Sequence, residues 1–468
     1  MERTPPLHAD VDADADVDAD VDVDAPTNPT QPGDRNMSSS SHRFRRRTLI
    51  KAGGALAGAA ALGALPGPAG RAARAVQPRT LKIGFVSPQT GPLAPFGEAD
   101  SFTVGQIHKL FAGGVDIRGK KIPIQIIPKD SQSSPNRAGE VANDLILKDK
   151  VDLMVVSSTP ETANPVCDAC ELNEIPCIST VVPWQPWFFG RKGDPAKGFA
   201  WTYHFFWGLE DVIANFVGGW KTVATNRKVG GLFPNDGDGN AWGDKKLGFP
   251  TPLHAEGFTL LDPGRFQNMN NDFSAQIAAF KKEGVEIVTG VVIPPDAKTF
   301  LTQAKQQGFK PKIVTLGKAL LFPAAVEALG WDGLSSEVWW SPFHPTASSL
   351  TKQTARQLAD AYEAGTGKQW SQCIGFSHAL FEVAVDVLRR SADLGSAAAI
   401  RDAIATTHLA TVVGEVKWGG AGPFKNVSKT PLVLGQWVKG TKRKYELGIV
   451  YNHEAPSIPA GGKLRLIG

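Results

Sequence analysis

Ile122-Pro-Ile-Gln-Ile-Ile127, then Ser134-Pro135, then Ala138, Val141, Ala142, Leu145 and Ile146, then Val151-Asp-Leu-Met-Val-Val156 form the stretch that decides the fold. The first run is rich in isoleucine and leads into Asp130, as a strand ending in a loop does. Ser134 before a proline fits an N-cap with proline at the first helical position, where the missing N–H costs nothing. The five apolar residues that follow recur at i, i+3, i+4, i+7 and i+8, so they share one face of a helix. Val151 to Val156 is almost continuously apolar, which suits a parallel strand covered on both faces. Strand, helix and buried strand in this order make a βαβ unit, because parallel neighbours need a crossover.

The same grammar extends in both directions. Upstream, Leu81-Lys-Ile-Gly-Phe-Val86 is a strand followed by a Gly/Pro turn region. Downstream, a helix over 164–173 precedes the strand Ile178-Ser179-Thr180. A second series starts at Lys228-Val-Gly-Gly-Leu-Phe233 and continues through residues 273–282, 286–292, 296–307 and 312–316, so two α/β lobes are expected. Between them, residues 184–220 are aromatic-rich and read as an elaborated loop with a helix over about 210–220. Strand-like pieces at 414–418, 432–438 and 445–450 are expected to pair with the second lobe. The α/β part carries no repeat of the fixed 20–50-residue period that marks solenoids.

At 468 residues the chain has room for two or three domains, and its 42% hydrophobic and 21% charged residues are ordinary globular values. The formal charge is +4, but beyond residue 75 the basic residues form no run with interleaved aromatics, which excludes a nucleic-acid binder. Aspartate occupies every even position from Asp10 to Asp24, so residues 1–36 are expected to be a disordered acidic extension, with translation starting at Met37. Arg45-Arg46-Arg47-Thr48-Leu49-Ile50-Lys51 resembles the twin-arginine export motif, with Arg46 and Arg47 as the pair. A Gly/Ala-rich apolar stretch over 52–65 and the small-x-small pattern Ala73-Arg74-Ala75 complete a signal peptide over 37–75, cleaved after Ala75. The apolar stretch is short of the ~20 residues that span a bilayer. No cysteine precedes Cys167, so the mature product is expected free in the periplasm or secreted, after passage through the twin-arginine translocon.

With these elements placed, the residues resemble the periplasmic type I solute-binding proteins of branched-chain amino acid ABC transporters. Lys82-Ile-Gly-Phe-Val-Ser-Pro-Gln-Thr-Gly-Pro-Leu-Ala-Pro-Phe-Gly97 is similar to that family's first strand and Thr/Ser-Gly-Pro loop. Asp130-Ser-Gln-Ser-Ser-Pro135, Asp149-Lys-Val-Asp152, Ser157-Ser158-Thr159 and Ile175-Pro-Cys-Ile-Ser-Thr180 follow in matching order, and the resemblance covers residues 81–450. It implies two Rossmann-like lobes with a ligand cleft between them: residues 76–205 with about 335–410, and about 206–334 with 411–468. It also implies a monomer without cofactor, metal or enzymatic activity that binds a small carboxylate-bearing molecule, an amino acid or an organic or aromatic acid, by hinge closure. Closure would present it to ABC permease subunits.

The candidate ligand residues follow the strand ends. Phe96 stands where the family packs an aromatic over the ligand, the alternative being an aromatic that pins its own turn. Ser157, Ser158 and Thr159 end a buried strand where hydroxyls and a helix N-terminus suit an anion, unless they only cap that helix. Thr180 and Trp184 follow the next strand, although Val181 and Pro183 replace the family's small and hydroxyl residues. In the second lobe, Asp236-Gly-Asp-Gly-Asn240-Ala-Trp242-Gly243 resembles the family's loop ending in an aromatic-glycine pair. Trp242 would stack on a flat ligand and Asn240 orient it, while Asp236 and Asp238 either contact it or stabilise the turn. Amino-acid-binding members carry an acidic residue for the ligand ammonium near the position that reads Gly317-Lys318-Ala319 here. A surface lysine is the plain alternative; an inward Lys318 favours a carboxylate, with Asp236 or Asp238 able to restore negative charge.

Other chemistry has weaker signals. Cys167-Asp-Ala-Cys170 is a CxxC without a second CxxC or a histidine pair at ligand spacing, so a redox or zinc role is disfavoured and a structural disulfide among Cys167, Cys170, Cys177 and Cys373 is the alternative. Gly375-Phe-Ser377-His378-Ala379 lacks the closing glycine of a nucleophile elbow. The rival readings are an exported hydrolase or redox enzyme, and a receptor that uses the same lobes for ligand sensing.

Overall fold

Leu153–Ser157, the apolar run of the deciding stretch, is a fully buried strand with parallel neighbours on both sides. In the computed structural model, which describes residues 79–420 and 422–467, it lies inside a six-stranded sheet, wholly parallel, in the order Val427–Ser428, Thr202–Phe205, Cys177–Thr180, Leu153–Ser157, Leu81–Ser87, Ile124–Asp130. The expected acidic extension, the Met37 start, the signal peptide and its cleavage after Ala75 lie outside the described residues. A second, seven-stranded sheet runs Tyr445–Tyr451, Val433–Lys439, Ser335–Val338, Ile313–Lys318, Ile287–Val292, Lys228–Leu232, Thr259–Leu261. Its first two strands are antiparallel additions to a parallel core. The chain is therefore two α/β lobes, and both belong to one compact unit.

Proline at the first turn sets where several helices leave their strands. Ser134 caps Pro135–Asp144 through the Arg137 N–H, and Pro160–Leu172, Pro294–Gln306 and Pro323–Leu329 also open on proline. Each of these starts lies just beyond a strand's C-terminal end, which gathers helix N-termini along one edge of each sheet. The apolar face read from the sequence is the one buried, with Ala138, Val141 and Ala142 inward.

Sheet membership differs from the sequence reading at two places. Ser335–Val338, set at the start of the first-lobe return, pairs with Ile313–Lys318 and Val433–Lys439 in the second sheet. Gly414–Lys417 does not join that sheet; it forms a separate hairpin with His408–Thr411, and Val427–Ser428 extends the first sheet. The reason is local: Trp418, next to the hairpin, donates its indole N–H to the His204 carbonyl at 3.0 Å and packs on Tyr203, which ties this segment to the first lobe. Among the described residues no helix is long and apolar enough to cross a membrane. Cys167, Cys170, Cys177 and Cys373 are buried free thiols, with Cys167 and Cys177 Sγ 4.0 Å apart.

Candidate functional site

The chain passes between the lobes at Phe206-Trp207-Gly208, at Trp339 and again between Val427–Ser428 and Val433–Lys439. A cavity of about 20 Å³ lies against these crossings, lined from the first lobe by Phe96, Thr159, Val181 and Pro183. Asp238, Trp242, Val291, Lys318, Leu321 and Glu337 line it from the second lobe, and Phe206, Trp207 and Trp339 from the crossings themselves. Its volume holds about one water, far below the ~300 Å³ of ordinary ligand sites. The lobes meet closely here, Phe96 of one lying edge to face against Phe322 of the other at 5.0 Å.

Polar groups in this lining are left over. The indole N–H groups of Trp207, Trp242 and Trp339, the Thr159 hydroxyl and Asp238 Oδ1 have no hydrogen-bond partner among the described residues, though all five side chains are buried. Leaving buried polar atoms unpaired costs roughly 1–3 kcal/mol each, so five in one small lining mark a place built to meet something polar. Thr159 sits at the N-cap of Pro160–Leu172 without capping it, so its hydroxyl and the positive end of a thirteen-residue helix face the same space.

Lys318 is the charged centre. It is 5% exposed, which overturns the surface-lysine alternative. Its Nζ lies 2.7 Å from Asp238 Oδ2, 3.4 Å from Asp236 Oδ2 and 3.7 Å from Glu161 Oε2. Burial opposes the charge, but the three carboxylates outweigh it and hold the lysine pKa well above its ordinary value. For Asp238 burial wins over Lys318 and pushes the pKa up to about 7, helped by the charges of Glu161 and Asp236. Asp236 moves the other way: Lys318, the Asn268 amide and the Gly239 N–H together overcome burial and lower its pKa. Glu337, buried on the neighbouring strand, is raised to about 7 by burial; it accepts from the Ser336 hydroxyl at 2.6 Å and from the Lys318 N–H at 3.2 Å. The negative charge missing at Gly317-Lys318 is thus supplied by Asp236, Asp238 and Glu161 around the lysine.

Backbone strain falls on the same lining. Val181 at φ 71° and Lys318 at φ 59° are non-glycine residues on the unfavourable side of the map, and the first is β-branched. They directly follow or end parallel strands of opposite lobes. Gly317 is required by packing instead: a Cβ there would come 2.9 Å from Trp242 Cη2, so only glycine lets the indole lie against the strand.

Of the residues singled out from the sequence, Phe96, Thr159, Asp238, Trp242 and Lys318 line the cavity, and Asp236 reaches it through Lys318. Five do not line it. Ser157 belongs to the buried strand, the Ser158 hydroxyl pairs with Thr162, and Thr180 Oγ1 donates to the Phe205 carbonyl at 2.7 Å. Trp184 donates to Glu210 Oε1 at 3.0 Å and packs on Phe424, while Asn240 is exposed and reaches Asn235 at 3.3 Å. Trp207, Trp339 and Glu337 were missed. The first two sit on crossings that have no periodicity, but runs such as Phe205-Phe-Trp207 and Val338-Trp-Trp340 between lobes were a visible signal.

Ser377 and His378, the elbow-like pair, are buried in the first lobe. Ser377 lies inside the helix Cys373–Arg390, is buried and shares a hydrogen bond with Thr103 at 2.8 Å; the Ser348 and His378 side chains meet at 2.8 Å in the same interior. Among the described residues no group of three or more His, Cys, Asp or Glu is placed to hold a metal.

Comparison with known proteins agrees with this architecture. A family model described as periplasmic binding protein matches residues 80–442. The chain is similar to the leucine binding protein of Thermotoga maritima, at 17% identity over 80% of this chain and 99% of that one, with a TM-score of 0.63. It is similar to the branched-chain amino acid transporter substrate binding protein of Streptococcus pneumoniae in complex with isoleucine, at 18% identity over 80% and 100%, with a TM-score of 0.60. A third similar structure is a solute binding protein of an ABC transporter from Rhodopseudomonas palustris in complex with 3,4-dihydroxybenzoic acid, at 17% identity over 82% and 99%, with a TM-score of 0.63.

Proposed function

Since the chain belongs to the periplasmic binding protein family, whose members are extracytoplasmic solute-binding proteins, we propose that it is the solute-capturing component of an ABC importer and that its ligand is a small carboxylate-bearing molecule. The observation that carries this reading is the set of five unpartnered buried polar groups lining the cavity where the lobes and their crossings meet. A carboxylate suits the donors among them: three indole N–H groups and Thr159 at a helix N-terminus. The flat walls of Phe96, Phe206 and Trp242 suit an aromatic or extended aliphatic body. Similar folds bind both kinds of carboxylate, isoleucine in one and 3,4-dihydroxybenzoic acid in another.

Capture then works by hinge motion. A cavity of about 20 Å³ admits no such ligand, so the lobes separate about the crossing segments and close again on the bound molecule. The closed face is what a permease recognises, and the protein acts as a monomer. Export proceeds by the twin-arginine route through Arg46 and Arg47, with cleavage after Ala75. Titration calorimetry with leucine, valine, benzoate and short dicarboxylates tests the binding reading: at least one binds at micromolar concentration, and silence toward all of them overturns it. Replacing Arg46 and Arg47 by lysine tests the route: unprocessed precursor stays in the cytoplasm, whereas normal export sinks the assignment.

A further inference from the structure

Lys318 is held in place more firmly than packing alone requires. Its backbone takes a strained φ of 59°, its N–H donates to Glu337 Oε1 at 3.2 Å, and its ammonium reaches carboxylates of both lobes. An ammonium has three N–H donors, and three carboxylates surround this one, at 2.7, 3.4 and 3.7 Å. Two of these acids also have other partners: Asp236 accepts from the Gly239 N–H at 2.7 Å and the Asn268 amide at 2.9 Å, and Glu161 accepts from the Gly237 N–H at 3.1 Å. What the lining leaves over is therefore mostly donor: three indole N–H groups and a hydroxyl, against one carboxylate oxygen of Asp238.

We propose that Lys318 is the specificity-determining residue of the cleft, its ammonium a permanent occupant of the acidic corner made by Glu161, Asp236 and Asp238, so that the ligand presents hydrogen-bond acceptors and carries no ammonium of its own. The inference rests on the cleft being the ligand site, and it narrows the ligand to aromatic or aliphatic acids over amino acids and amines. A ligand ammonium entering this corner would have to share with Lys318 carboxylates that the lysine, Gly237, Gly239 and Asn268 already hold, with only Asp238 Oδ1 left over. A carboxylate or phenolic oxygen instead finds unpaired donors on Trp207, Trp242, Trp339 and Thr159. Removing the lysine head leaves three carboxylates with no counter-charge, which is the environment an amine needs.

The test compares the full chain with Lys318→Met, which keeps the stem and removes the charge, and with Lys318→Gln, which keeps a donor. Benzoate, 3,4-dihydroxybenzoate, leucine and isobutylamine are titrated against each by calorimetry, with thermal unfolding confirming that each protein is folded. The wild-type chain binds an acid at least tenfold more tightly than leucine or the amine. In a folded variant the ratio of leucine or amine affinity to acid affinity rises at least tenfold. Micromolar leucine binding by the wild-type chain overturns the inference even where neither variant folds, and so does an unchanged or falling ratio in a folded variant. Silence of the wild-type chain toward all four probes overturns the reading of the cleft itself, a failure distinct from a preference for leucine.

Discussion

Glu161 and Gly237 face each other across the two lobes, the glycine N–H donating to Glu161 Oε1 at 3.1 Å while the second carboxylate oxygen lies 3.7 Å from Lys318. The surfaces touch at the same point: a Cβ on Gly237 would come 3.0 Å from the Pro160 Cβ. Glu161 is thus a polar fastening between lobes that does not depend on a ligand. Because its side chain is one-fifth exposed, the fastening is worth about 1 kcal/mol, or roughly fivefold in the ratio of closed to open molecules. Glu161→Ala is expected to raise the radius of gyration of the ligand-free protein in small-angle scattering, with ligand reversing the change. An identical scattering profile would show that apolar contacts alone hold the lobes.

Asp100 provides a pH test of stability independent of the cleft. Both of its carboxylate oxygens are buried without a hydrogen-bond partner among the described residues, and burial pushes its pKa up to about 7. Between about pH 4 and 7 the folded protein keeps a proton that the unfolded chain, with its aspartate near 3.8, has released. Stability from this group therefore falls as pH rises through that window and levels off above it. Asp100→Asn removes the titration, so its melting temperature relative to the wild-type chain should be several degrees more favourable at pH 8 than at pH 4.5. A difference that does not change with pH would refute the assignment.

The cysteines should prove chemically quiet. Cys167, Cys177 and Cys373 are fully buried, and burial raises each thiol well above its usual pKa, which keeps it neutral and unreactive. The protein purified under reducing conditions should react with a thiol reagent only after unfolding. The double replacement of Cys167 and Cys170 by serine should lower the melting temperature and leave ligand affinity within a few fold. Loss of binding by a folded double variant would give these residues a role that their position in the first-lobe interior does not suggest.

Periodicity and strand order were legible because they are local properties. The apolar run from Val151 to Val156 reads as a covered strand and contains most of Leu153–Ser157, and Ser134-Pro135 reads as a helix start and opens Pro135–Asp144. Of the lining residues, Thr159 follows a strand end that the pattern fixes, whereas Phe96, Asp238, Trp242 and Lys318 were reached through the resemblance to the solute-binding family. The direction of a side chain beyond a strand end is set by its partners in space. Thr180 turns to the Phe205 carbonyl and Trp184 to Glu210, partners 25 and 26 residues away, and nothing in the local pattern announces either bond. Lys318 is the clearest case, since its meaning depends on Glu161 from the other lobe.

That contrast gives a direct comparison of two tryptophans. Trp339 lines the cavity from a crossing, its backbone N–H donating to Gln372 Oε1 at 2.7 Å and its ring edge-on to Phe206 and Phe376, yet its indole N–H has no partner among the described residues. Trp184 is the tryptophan of the two that the sequence pointed to, but it spends its indole N–H on Glu210. Replacing either by phenylalanine keeps a flat apolar ring and removes one donor. A hydrogen bond to a charged acceptor contributes about 1.5–3 kcal/mol, so Trp339→Phe should weaken binding of a carboxylate ligand by roughly tenfold or more. Trp184→Phe instead frees part of Glu210, which Lys429 still holds at 2.6 Å, so it should lower the melting temperature slightly and leave affinity within twofold. Calorimetry on the two variants separates the alternatives: a larger affinity loss in Trp184→Phe than in Trp339→Phe would move the ligand away from the crossing segments and toward the strand-end loop.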